Sequence, residues 1–111
     1  MQLTYAIEFV ADMGRAVKFY RDIAGLTLKF ESPGWSEFIT GPTTLALHSA
    51  SAENPAGTVR LGFGVPDLHR FHREMTEKGV RFTKPPQKQD FGSELAEFVD
   101  SEGGRCSVSG E

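Results

Sequence analysis

The phrase Val10-Ala11-Asp12-Met13-Gly14-Arg15 returns as Val65-Pro66-Asp67-Leu68-His69-Arg70, and Asp67 lies 55 residues after Asp12 in a chain of 111 residues. Each copy closes a β-prone run and opens a helical one, so the chain reads as two half-units of one plan. Aspartate is a strong N-cap because its carboxylate accepts orphan backbone N–H groups and complements the helix dipole. Helices are therefore predicted from Asp12 to a stop at Gly25 and from Asp67 to a stop at Gly79. Met13, Ala16, Val17, Tyr20, Ile23 and Ala24 give the first an apolar stripe, and Leu68, Phe71 and Met75 give the second a thinner one.

An extended run precedes each helix, at residues 3–10 and 58–65, and short β-prone segments follow it. In the first half these are residues 26–31, 35–40 and 43–49; in the second, 80–83, 94–100 and 104–109, all divided by Gly and Pro. The unit is βαβββ, twice, with module one at 1–51, module two at 57–111 and a short polar link between. The pairs Glu37-Phe38 and Glu97-Phe98, each followed by a turn and a last strand, support a duplication. They lie 60 residues apart, so the second half carries a longer connection, assigned to residues 85–92 as a surface loop or a lid.

Composition narrows the function. With 39% hydrophobic and 24% charged residues the chain is one ordinary globular domain. Twelve basic and 15 acidic residues, without a basic stripe, exclude the electrostatic footprint of a nucleic-acid binder. No apolar run is long enough to span a membrane. Cys106 is the single cysteine and cannot form an internal disulfide, and residues 1–5 lack a basic-then-apolar signal pattern, so a cytoplasmic protein is expected.

The stretch from Phe9 through Asp12, Tyr20 and Gly25 to Leu26 resembles the opening signature of the vicinal oxygen chelate superfamily. That superfamily includes glyoxalase I, bleomycin resistance proteins, fosfomycin-modifying enzymes and extradiol dioxygenases. Thr44 to His48, Gly62 to Leu68 and Ala96 to Gly104 are similar too, so the resemblance covers nearly the whole chain. It implies an α+β, glyoxalase-like fold in which two βαβββ modules form a curled mixed sheet around a cleft. It also implies a two-fold homodimer, to which an open sheet edge would contribute.

Metal-dependent relatives place ligands on the first and last strands of each module. Carried over, these places fall at Tyr5, Ala46, Arg60 and Ser107, with His48 two residues beyond Ala46 on the same face. An arginine and an alanine are not metal ligands. No metal ligand and no cofactor is therefore assigned. The expected function is a metal-poor cleft that binds a small aromatic or amide-containing molecule. A metal-dependent lyase of the lactoylglutathione type, a dioxygenase or a non-catalytic structural domain are the alternatives, and whether the protein is an enzyme is left open.

Strand alternation supplies candidate ligand-binding residues. Tyr5, Ile7 and Phe9 share one face of the first strand, and Trp35, Glu37 and Ile39 one face of the third; His48, Arg60 and Ser107 join them. Arg60 and His48 are expected to meet an anionic or carbonyl oxygen, and Glu37 an amine or hydroxyl. Plainer roles stand beside these: Tyr5 and Trp35 as core or rim, His48 at a strand end, His69 and His72 on a solvated helix face, Cys106 as a packed thiol. Glu8 falls on the opposite face and needs a partner. Arg15 or Lys18, an exposed sheet edge, or a reversed facing of the strand are the options.

Overall fold

Asp12 and Asp67 both act as N-caps: each carboxylate accepts the backbone N–H three residues on, of Arg15 and of Arg70, at 3.0 Å. In the computed structural model, which describes residues 1–90 and 92–110, the two capped helices organise an α+β fold. Phe91, in the predicted connection, and Glu111, at the end of module two, lie outside the described residues. The chain divides into two compact units, an N-terminal one of Thr4–Val59 and a C-terminal one of Met1–Leu3 with the described part of Arg60–Glu111. None of the described helices is long and apolar enough to cross a membrane.

The N-terminal unit contains most of β1 (Gln2–Val10), then α1 (Met13–Lys18), β2 (Thr27–Phe30), β3 (Trp35–Ile39) and β4 (Thr44–Ser49). Its strands lie in the order β2-β3-β4-β1, with β1 parallel to β4 and the other pairs antiparallel. One sheet face packs on α1 through Val10, Val17, Phe38 and Leu47, all at or below 8% exposure. The helix predicted from Asp12 to Gly25 is not uniform. After six α-helical residues it widens into a π turn over Phe19–Ile23, where the Ala24 N–H bonds to the Phe19 carbonyl at 3.0 Å. Gly25, at φ 78°, then ends it.

The π turn holds Tyr20 where its hydroxyl donates to the carboxylate of Glu8. This settles the open facing of β1: Glu8 looks toward the helix, and its partner is a tyrosine rather than Arg15 or Lys18. Tyr5, Ile7 and Phe9 look the other way.

The C-terminal unit contains most of β5 (Val59–Val65), then α2 (Leu68–Glu77), β6 (Phe82–Lys88), β7 (Glu94–Val99) and β8 (Arg105–Gly110). The order is β5-β8-β7-β6, again with the first and last strands of the plan parallel and the rest antiparallel. Leu68, Ala96 and Val108 form its buried centre, ringed by Phe63, Val65, Phe71, Phe82 and Phe98. Each unit is thus a βαβββ arrangement. The first half of the stretch expected to be a loop or lid is strand: β6 runs through Pro85-Pro86 to Lys88. Proline hides a strand from a propensity reading, but at a sheet edge its missing N–H takes nothing from the ladder. Register shifts between Phe82 and Lys84 and between Lys84 and Gln87 absorb the irregularity.

Candidate functional site

In the N-terminal unit, the sheet face turned away from α1 gathers most of the predicted site residues. Register sets Ile7, Ala46 and Glu37 in one row and Phe9, His48 and Trp35 in the next. Ile7, Phe9 and Ala46 make a small apolar floor at 8%, 4% and 0% exposure, with Tyr5 and Trp35 packed against it. The Tyr5 and Trp35 rings meet edge to face with centroids 5.8 Å apart, Trp35 meets His48 at 5.9 Å, and His48 meets Phe9 at 5.3 Å. Ile39, though on the same alternation, stands exposed at the strand end.

Glu37 lies within this aromatic group. The Trp35 Nε1–H donates to its Oε2 at 2.7 Å, and the Lys29 Nζ is 3.8 Å from its Oε1. Burial, and secondarily the Glu37 charge, push the Tyr5 phenol above its ordinary pKa, so Tyr5 is a neutral hydroxyl at physiological pH. His48 donates from Nδ1 to the carbonyl of Ser49 at 2.7 Å, which fixes its ring at the end of β4.

Arg60 and Ser107, predicted with the same site, are placed in the C-terminal unit, on the face of its sheet turned from α2. There they surround a residue the sequence reading passed over. Glu97 is 3% exposed, pairs in register with Ser107 and accepts from Arg60 Nη1 at 2.9 Å. Thr83 donates its hydroxyl to the same carboxylate, and Arg105 Nη1 lies 4.0 Å from it. The anionic oxygen expected to meet Arg60 is therefore supplied by the chain itself. The repeated Glu-Phe pair, with strand alternation, was the signal that could have singled out Glu97.

The remaining candidates take plainer roles. Cys106 is buried on the α2 side of β8, where burial and secondarily the charge of Asp100 raise its thiol pKa. His69 pairs with Glu94 at 2.8 Å on the surface, and His72 packs edge-on against Phe82. A concavity of about 670 Å³ in the C-terminal unit, lined by Gly64, Val65, Pro66, Ser93 and Ser109 among others, contains none of the predicted site residues.

The places that hold a metal in the resembling relatives do not suit a divalent ion here. Ala46 offers a wholly buried methyl group, and the Arg60 guanidinium is committed to Glu97. Among the described residues no three His, Cys, Asp or Glu side chains gather in a way that could hold a metal.

The family model described as Glyoxalase/Bleomycin resistance protein/Dioxygenase superfamily matches residues 2–103. Among solved structures, a methylmalonyl-CoA epimerase variant from Streptomyces coelicolor in complex with 2-nitronate-propionyl-CoA is similar at 18% identity. It superposes with a TM-score of 0.81, covering 100% of this chain and 94% of that one. A hypothetical protein from Bacillus halodurans is similar at 19% identity and TM-score 0.81, over 99% and 94% of the two chains. Methylmalonyl-CoA epimerase from Mycobacterium tuberculosis follows at 19% identity and TM-score 0.77, over 97% and 86%. At such identities the likeness is one of fold. A search of curated proteins gave no match.

Proposed function

The chain belongs to the Glyoxalase/Bleomycin resistance protein/Dioxygenase superfamily, and on that premise we propose that it binds a small flat molecule, aromatic or amide-containing, without a metal ion. The site is the aromatic face of the N-terminal unit. The observation that carries this reading is the edge-to-face series Tyr5, Trp35 and His48 beside the Glu37 carboxylate. Rings so arranged offer apolar walls for stacking, while the carboxylate, the Tyr5 hydroxyl and the His48 ring supply polar handles. A lyase or dioxygenase that works through a divalent ion would need donors that Ala46 and Arg60 do not provide.

Trp35 is the chain's one tryptophan, so its fluorescence reports on this face directly. Titration of metal-stripped protein with planar aromatic amides is expected to change Trp35 emission saturably. Tyr5→Ala should weaken that binding about tenfold, the scale of one lost aromatic contact. Emission unmoved by the whole series, together with a saturable rise in thermal midpoint with nickel or zinc, would overturn the reading in favour of the metal-dependent one.

A further inference from the structure

Resting on the aromatic site just proposed, we infer that its ligand is a planar organic cation, that Glu37 is the counter-charge, and that Lys29 is an internal competitor for it. Glu37 is 8% exposed, and a carboxylate so far removed from water needs compensating donors or charge. It has few. Trp35 supplies one neutral N–H to Oε2, while the nearest cation to Oε1, Lys29 Nζ, stands at 3.8 Å, beyond hydrogen-bonding distance.

The Lys29 side chain is 59% exposed, on a flexible stem that can swing into water. Its ammonium is thus a loosely held occupant of a place that a ligand could take. The matching carboxylate of the C-terminal unit shows what a closed arrangement looks like: Glu97 is met by Arg60 at 2.9 Å and by Thr83. The rings around Glu37 add a second selective force, because the π faces of Trp and Tyr attract cations most when the pair is shielded from water. A group that is both flat and positively charged uses both features at once. An amidinium, a guanidinium or a protonated aromatic amine meets that description, with its N–H donors directed at Oε1.

Benzamidine and benzamide differ in charge but hardly in shape, so the pair separates the two levels of the argument. Read by Trp35 fluorescence at low salt, benzamidine is expected to bind about tenfold more tightly than benzamide, the worth of one charge-assisted contact. Glu37→Gln keeps the side-chain shape and an acceptor for Trp35, and should bring the two affinities within about twofold. Lys29→Gln should tighten benzamidine about threefold and leave benzamide unchanged. Equal binding of both probes by the wild type, or a preference that survives Glu37→Gln, would overturn the inference while leaving the aromatic site intact. If neither probe binds, the aromatic site falls and the inference with it. Should Glu37→Gln fail to fold, the Lys29→Gln result decides alone, an unchanged benzamidine affinity counting against the proposal.

Discussion

Glu37 and Glu97 stand at matching places, each on the third strand of its unit and each opposite a small residue of the last strand, Ala46 or Ser107. Their surroundings differ. Glu97 is held by a guanidinium and a threonine hydroxyl, with a second guanidinium 4.0 Å away, whereas Glu37 has an indole N–H and a distant, exposed lysine. The fold demands an apolar face toward each helix and leaves the other face free to diverge. In one unit that freedom has produced an internal ion pair, in the other a carboxylate among rings. The first is a structural element and the second has capacity to spare.

The largest test of this contrast is a pair of isosteric changes. Glu97→Gln removes the charge from an ion pair whose side chains are only 16% and 4% exposed, and should cost about 3 kcal/mol in chemical denaturation. Glu37→Gln removes only a weak ion pair and should cost less than about 1 kcal/mol. Equal losses would mean that the two carboxylates have the same structural role.

A second contrast concerns the helix-facing side of β1, where Glu8 depends on Tyr20. Tyr20→Phe orphans a part-buried carboxylate and is expected to cost about 1–2 kcal/mol. The hydrogen bond to Glu8, helped by burial, pushes the Tyr20 pKa from 10.0 up to about 12. Because the folded value lies above the unfolded one, this stabilisation is whole below pH 10 and is lost as pH rises toward about 12. Denaturation midpoints of wild type and Tyr20→Phe should therefore converge over that interval; a constant gap would refute the linkage. Smallest of all, Lys29→Gln should change stability by no more than about 0.5 kcal/mol, as measured by the same method.

The two capping aspartates and the alternation of Tyr5, Ile7 and Phe9 made the βαβββ plan and the shared face legible in the sequence. Local rules of capping and period govern both. Partners were harder to read, because alternation says which way a side chain points but not what it meets. Arg60 was expected to meet an anionic or carbonyl oxygen of a ligand and is paired with Glu97; a basic partner, a sheet edge and a reversed facing all stood open for Glu8, and its partner is Tyr20. The strand through Pro85 and Pro86 was hidden because edge position, which tolerates proline, is a tertiary fact.

The π turn sets the two units apart. Phe63 stands 55 residues after Glu8 and Met75 the same distance after Tyr20, and in the C-terminal unit Phe63 stacks on Phe98 at 6.2 Å. Where the N-terminal unit has an acid and a hydroxyl, the C-terminal unit has two apolar residues at the same spacing. A chimera with the second helix grafted over the first would leave Glu8 without the Tyr20 hydroxyl. The halves share an outline but are not interchangeable parts, because the acid of the first strand depends on a hydroxyl that only this wide turn presents to it.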